Sequence, residues 1–285
     1  MNPTEIAQVV SLCRALAGLR VAPDKTYLME SRLAPVARRE GYESISDLLA
    51  AVRARRDDPL VWAVVESMAA GESAFFRDRA PFSEFRDEIV PQLSRARGGA
   101  PIRVWSAACG AGQEIYSLAM LLAELAEADP DLHIELAASD LSRLALERAQ
   151  TGLYNQFEVQ RGLPIRLLAR HFEKEGDQWR LAADVRRRVK WRRINLIAGL
   201  KPIGRFDVVF CRYVLCGMTE DAQRKVIDDL ACIVPDDGYL VLGLKEQAVA
   251  TGPAFQVELQ ISHQQNILQA VASGRAELAA NSHAA

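Results

Sequence analysis

The 285-residue chain sets 35 Lys and Arg against 37 Asp and Glu, for a formal net charge of −2, and 49% of its residues are hydrophobic. That balance gives no global drive toward nucleic acid or anionic lipid, and the length suits two domains or one α/β core with an accessory module. No run of about 18 apolar residues occurs and Met1-Asn2-Pro3-Thr4-Glu5 is unlike a secretory start, so a cytoplasmic protein without membrane insertion is expected.

From the N-terminus to about residue 70, apolar positions recur at three and four in Ile6-Val9-Val10-Cys13, Leu28-Leu33-Val36-Ala37 and Ile45-Leu48-Leu49-Val52. This period predicts a small all-helical domain, placed over 1–80. Gly41-Tyr42-Glu43-Ser44 breaks it, and Ser44 or Ser46 offers a cap for the next helix. Arg32, Arg38, Arg39, Arg53, Arg55 and Arg56 form a basic stripe among Glu40, Glu43, Asp57 and Asp58, which reads either as a solvated face or as a docking surface for an acidic partner. A linker helix and loop are placed over 81–100, with the break at Ser94-Arg95-Ala96-Arg97-Gly98-Gly99-Ala100-Pro101.

The most informative stretch follows. Arg103-Val104-Trp105-Ser106-Ala107 runs into Ala108-Cys109-Gly110-Ala111-Gly112 and then a helical pattern from Glu114 to Ala128, which reads as strand, glycine turn, helix. Gly110 admits a backbone conformation closed to residues with a Cβ, and Gly112 lets a ligand approach the positive helix N-terminus. A dinucleotide fingerprint needs a third glycine where Ile115 stands, so a nucleoside without a pyrophosphate fits better. Ile134-Glu135-Leu136-Ala137-Ala138-Ser139-Asp140 predicts a second strand whose terminal carboxylate can accept both ribose hydroxyls. Further strands are predicted at Phe206–Cys211 and Gly238–Gly243, around a helix near Asp221–Val234, so strand and helix alternate as in a largely parallel sheet. Residues after about 270 read as a frayed tail.

Cys13, Cys109, Cys211, Cys216 and Cys232 are scattered and show no paired spacing with histidine, so no metal site and no disulfide framework are indicated, and reduced, mostly buried thiols are expected. His133, His171, His263 and His283 form no hydrolase-like pattern.

The chain resembles the CheR-type chemoreceptor methyltransferases, which use S-adenosylmethionine to esterify receptor glutamates. The likeness runs through Lys25-Thr26-Tyr27-Leu28, Ser31-Arg32-Leu33, Glu72-Ser73-Ala74-Phe75-Phe76-Arg77-Asp78, Trp105–Cys109 with its glycine turn, Ser139-Asp140-Leu141-Ser142, Phe157–Pro164, Ile194-Asn195-Leu196 and Phe206–Arg212. It implies a Rossmann-like class I methyltransferase core over 101–250 with a short antiparallel β subdomain at about 155–193, and a C-terminal strand and flexible tail over 251–285. It places Ser73 and Arg77 at the mouth of the cofactor site, Arg77 near the methionine carboxylate and the reacting methyl. Ala108, Gly110, Gly112 and Glu114 would lie against the cofactor, Asp140 would hold the ribose, Asn195 and Leu196 would flank the adenine, and Arg212 would close the site from below. Trp179-Arg180-Leu181 and Val189-Lys190-Trp191 have strand-like patterns within a basic cluster (Arg180, Arg186, Arg187, Arg188, Lys190, Arg192, Arg193), which reads as a solvated hairpin face or a docking face.

Four departures fall at or beside the site, the first being Gly112-Gln113-Glu114-Ile115 where the family reads Gly-Glu-Glu-Pro. Gly71 stands where the family usually has an asparagine, and Arg212-Tyr213-Val214-Leu215-Cys216-Gly217-Met218 replaces Arg-Asn-Val-Leu-Ile-Tyr-Phe, so Tyr213 takes an asparagine's place and Gly217 a tyrosine's. Arg77 and Tyr213 are the catalytic candidates, with the Tyr213 phenol as substitute for the missing one. The resemblance implies a monomer acting on the acidic methylation region of chemoreceptor cytoplasmic helices. The departures also leave room for a degenerate protein that binds S-adenosylmethionine or S-adenosylhomocysteine as a sensor or scaffold.

Overall fold

The structure is a computed structural model that describes residues 1–54, 59–69, 71–244, 246, 255–257 and 267–270. Four helices open the chain: α1 (Pro3–Ala17), α2 (Thr26–Arg39), α3 (Ile45–Ala54) and α4 (Pro59–Ala69). Asn2 and Glu5 form a capping box at the start of α1, and Ser44, rather than Ser46, caps α3 by accepting from the Asp47 amide. Their apolar stripes close on one core that includes Val9, Cys13, Leu33, Leu48 and Val64. Of the basic stripe, Arg55 and Arg56, with Asp57 and Asp58, lie outside the described residues.

The chain continues as α5 (Ala80–Glu84), which passes through a π-helical turn (Phe85–Ile89) into α6 (Val90–Arg97). Ser94–Arg97 is thus the last helical turn of this stretch, and the break falls just after it, at Gly98-Gly99. Polar, glycine-bearing composition hides what holds it, since the Arg97 guanidinium reaches across the sequence to Asp207 at 2.5 Å and Asp237 at 2.5 Å.

The remaining elements are β1 (Ile102–Ala107), α7 (Gln113–Ala128), β2 (Ile134–Asp140), α8 (Arg143–Thr151), β3 (Leu153–Asn155), α9 (Gln156–Gln160), α10 (Ile165–His171), β4 (Phe172–Glu175) and β5 (Gln178–Leu181). They continue with α11 (Ala183–Arg186), β6 (Val189–Arg193), β7 (Val208–Cys211), α12 (Glu220–Ile233), β8 (Tyr239–Leu242), β9 (Phe255–Val257) and β10 (Ile267–Ala270). One sheet has the order β6-β2-β1-β7-β8-β10-β9, parallel from β6 to β8, with β10 antiparallel to β8 and to β9. Both faces are covered, as the alternation within strands shows. Val104, Val208, Phe210 and Val241 join one core, while Trp105, Val209, Cys211 and Leu240 join the other. The fold is therefore a Rossmann-like α/β core with an all-helical N-terminal part and a small antiparallel sheet.

That small sheet has the order β3-β5-β4. The two segments that read as one hairpin are in different sheets: Trp179–Leu181 lies in β5, whereas Val189–Trp191 lies in β6 and pairs in parallel with β2. Both are strand-like in pattern, and local alternation does not encode the partner. The basic cluster is correspondingly split, with Arg180 paired to Glu175, Lys190 to Glu135 and Arg193 to Glu66. The tail after Ala270 lies outside the described residues.

One glycine fixes how the small sheet's loop meets the segment before α5. Gly162 has φ +95°, and a Cβ there would stand 2.1 Å from the Phe75 carbonyl oxygen. Gly162→Ala is expected to lower stability by about 2 kcal/mol or more, read as a drop in the urea midpoint; an unchanged midpoint would contradict the close approach.

Candidate functional site

A cavity of about 350 Å³ opens beyond the carboxyl ends of the parallel strands, between the core and the N-terminal helices. This is where an open α/β sheet places a ligand, and the volume is in the range of small-molecule sites. Its floor is the turn after β1. Ala108, Gly110 and Gly112 all have positive φ, at +58°, +56° and +89°. The Gly110 amide donates to Asp140 Oδ2 and the Ser142 amide to Asp140 Oδ1, each at 2.8 Å, so backbone donors orient the carboxylate at the tip of β2. Burial raises the Asp140 carboxyl above the usual carboxylate range, and these amides partly offset it.

The opposite wall hangs on Arg212, one residue beyond β7. Its side chain is 1% exposed and pairs with Asp78 at 2.5 Å and Glu114 at 3.1 Å, and it donates to the Arg77 carbonyl. Glu114, in the first turn of α7, also accepts from Ser106 Oγ at 2.8 Å. The Tyr213 hydroxyl donates to the same Asp78 carboxylate, and the Arg77 guanidinium lies over the Tyr213 ring at 3.4 Å from its centroid. Burial, then the bond to Asp78, raises the Tyr213 phenol above its ordinary value, so it is a neutral donor at physiological pH. A chain of contacts thus runs Ser106, Glu114, Arg212, Asp78, Tyr213, Arg77. The Arg212 Nε is buried without a hydrogen-bond partner among the described residues.

Tyr213 adopts φ +62°, a costly region for a residue with a Cβ. Glu246, 1% exposed, holds it there. Its carboxylate accepts from the amides of Tyr213 (2.6 Å), Gly243 (2.9 Å) and Cys216 (3.0 Å), tying the end of β8 to the loop that follows β7. A side chain at Gly243 would meet Glu246 Oε2 at 2.6 Å, so glycine is required.

The cavity gathers Ser73, Arg77, Ala108, Gly110, Glu114, Asp140, Asn195, Leu196, Arg212 and Tyr213. Gly112 does not line it. It begins α7, and a Cβ there would meet Ala149 of α8 at 2.9 Å, so its glycine serves helix packing instead of ligand approach. Asn195 is already engaged, its Nδ2 donating to the Leu16 carbonyl and its Oδ1 accepting from the Ile197 amide. Sequence reasoning missed the wall from the N-terminal part, Ala17, Leu19, Arg20, Val21, Arg32 and Met68. That wall is fastened by an antiparallel bridge from Leu19 to Met218, by the Arg20 amide on the Gly217 carbonyl (2.8 Å) and by the Thr219 amide on the Gly18 carbonyl (2.8 Å). Asp78 and Glu246 were missed as well. Burial pushes the Cys109 and Cys211 thiols well up, so neither is a nucleophile.

A glycine turn, an acid at the tip of the second parallel strand and a nucleoside-sized cavity define an α/β protein that binds a nucleoside-like cofactor without a pyrophosphate. Comparison with known proteins gives the family. The model of the CheR methyltransferase SAM-binding domain matches residues 71–262, and that of the CheR methyltransferase all-alpha domain matches residues 4–68. Chemotaxis protein methyltransferase 1 of Vibrio cholerae is 34% identical over 251 residues, covering 86% of this chain and 90% of that protein. Chemotaxis protein methyltransferase 1 of Pseudomonas aeruginosa is 34% identical over 233 residues (80% of this chain, 85% of that protein), and chemotaxis protein methyltransferase Cher2 of Pseudomonas putida is 32% identical over 233 residues (80% and 85%). The chain belongs to the CheR methyltransferase family, and its cofactor is S-adenosylmethionine.

Removing the buried Glu246 carboxylate strands three amides. Glu246→Ala is expected to lower stability by about 3 kcal/mol and to weaken S-adenosylmethionine binding, measured by chemical denaturation and calorimetry; wild-type behaviour in both would refute the anchoring role.

Proposed function

We propose that this protein works in the cytoplasm as a monomer that methylates glutamate side chains on the acidic cytoplasmic helices of chemoreceptors. The observation that carries the reading is the fixed pair at the end of the cavity, Arg77 stacked on a Tyr213 whose phenol is bound to Asp78. Relatives with 34% identity carry the name chemotaxis protein methyltransferase, which supports the same reaction class.

The residues fit S-adenosylmethionine. The Asp140 carboxylate, already aimed by two amides, takes the ribose hydroxyls. Leu141, Ile194 and Leu196 offer an apolar slot for adenine, and Arg77 offers charge to the methionine carboxylate. Bound there, the cofactor supplies an electrophilic methyl group. The acceptor needs no general base, because a glutamate of reference pKa about 4.3 is ionised at neutral pH. What the protein contributes is position and dryness: an acceptor oxygen must approach in line to roughly 3–3.5 Å with its water removed. Arg77 steers the acid, Tyr213 holds Arg77 by its ring, and Asp78 holds Tyr213 by its hydroxyl. Ala17, Leu19, Val21 and Met68 give the cavity an apolar wall.

The test is methyl transfer from labelled S-adenosylmethionine to membranes carrying chemoreceptors. Base-labile label on the receptor is the expected result. Cofactor binding without label across several receptors would instead mark a sensor or scaffold.

Two variants separate binding from turnover. Asp140→Ala is expected to weaken cofactor binding roughly tenfold or more in calorimetry. Arg77→Ala is expected to cut transfer about 100-fold, beyond the roughly tenfold loss of cofactor affinity that follows from removing the partner of the methionine carboxylate. An unchanged rate in Arg77→Ala would remove it from the mechanism.

A further inference from the structure

Two cavity-lining glycines have no structural reason to be glycine. Among the described glycines, only Gly71 and Gly217 combine an ordinary φ with open space where a Cβ would stand, no atom lying within 4 Å; every other one has a positive φ or a crowded Cβ position. Both line the cavity. Gly71 precedes the segment that carries Ser73 and Arg77, and Gly217 lies in the loop that begins with Tyr213, so the empty space borders the reacting end.

Charge at that border is one-sided. The cavity's carboxylates are already engaged: Glu72 with Arg161, Glu114 with Arg212 and Ser106, and Asp140 with two amides. Of its four arginines, Arg212 is paired with acids, whereas Arg20, Arg32 and Arg77 have no carboxylate at ion-pair distance among the described residues. Arg77 is laid on Tyr213 and donates to the Glu72 carbonyl, and Arg32 donates to the Met68 carbonyl. Arg20 is exposed and sits directly on Gly217. Its amide donates to the Gly217 carbonyl at 2.8 Å and its Nη2 to the Cys216 carbonyl at 2.9 Å, which leaves Nη1 and Nε without a partner among the described residues. The Leu19 to Met218 bridge fixes the adjoining backbone and the Cys216 carbonyl holds Nη2, so the guanidinium with its remaining N–H donors is held ready at small cost in entropy.

We propose that the space bordered by Gly71 and Gly217 is the acceptor subsite, and that Arg20 binds there the carboxylate of the acidic side chain that receives the methyl group. This rests on the methyltransferase reading above. The ligand class is an acidic side chain on a protein helix, which a guanidinium fork suits and which needs the width that two open glycines leave.

The experiment measures, for the full chain, the KM for a purified chemoreceptor cytoplasmic fragment and the dissociation constant for S-adenosylmethionine. Arg20→Ala is expected to raise the KM for the fragment roughly tenfold to a hundredfold, with cofactor affinity within about twofold of wild type. Arg20→Lys, which keeps the charge but loses the fork, should fall between them. Gly217→Leu, tolerated by the backbone, should fill the subsite and raise the same KM without moving cofactor affinity. An unchanged KM in Arg20→Ala, with the wild type active, would overturn the role of Arg20 and leave the methyltransferase reading standing. A wild type that binds S-adenosylmethionine yet methylates no fragment would overturn that reading, and the acceptor role of Arg20 with it.

Discussion

A guanidinium almost fully removed from water has to be neutralised where it sits, and in this molecule that requirement falls on Arg212. Its partners come from two separate parts of the chain, Glu114 at the start of α7 and Asp78 in the segment before α5. Losing both acids would leave an uncompensated buried charge, which is far more costly than the pairing is stabilising. The same two carboxylates carry second duties. Glu114 receives the Ser106 hydroxyl, and Asp78 receives the Tyr213 phenol. One ionic cluster therefore sets the pitch of the glycine turn's helix, the path of the segment holding Arg77 and the orientation of the ring on which Arg77 rests.

Strain is concentrated in the same place. The non-glycine residues with positive φ among the described residues are Phe76, Asp78, Arg79, Ala108 and Tyr213, all in the two turns and the loop that surround the cavity. Such conformations persist only where neighbours over-determine them. Here those neighbours are Glu246 beneath Tyr213 and the Ser117 hydroxyl that accepts from the Phe76 amide. The N-terminal helices add the outer brace: Gly18 packs so closely on α12 that a Cβ would stand 2.4 Å from Ala222 Cβ. The cavity is thus a joint product of the helical part and the core, which is why its walls include residues from both.

What the sequence disclosed and what it withheld follow from the range of the interactions. The glycine turn, the second strand ending in Asp140 and the alternating strands and helices are written in local pattern, and they stand in the structure as read. Gly112 lines α8 and not the cavity because a glycine required for helix packing looks the same in sequence as one required for a ligand. The supposed hairpin failed for a similar reason: alternation in Val189–Trp191 marks an edge strand but not whether its neighbour is β5 or β2. Arg97 and Asp207, 110 residues apart, anchor the helix end that precedes the loop. Glu246 and Arg20 left no local signal, and Asp78 stood in a recognisable block without showing its role, since each acts through a partner distant in sequence.

How the site works depends most directly on where the cofactor lies relative to the cluster that shapes its cavity. A crystal structure of the full chain with S-adenosylhomocysteine would decide it. The expected result is the ribose on Asp140, the amino-acid tail toward Arg77, and the contacts of Arg212 with Asp78 and Glu114 intact beneath a Tyr213 still bound to Asp78. A nucleoside seated away from Asp140, or a Tyr213 swung clear of Asp78 to admit it, would contradict the account.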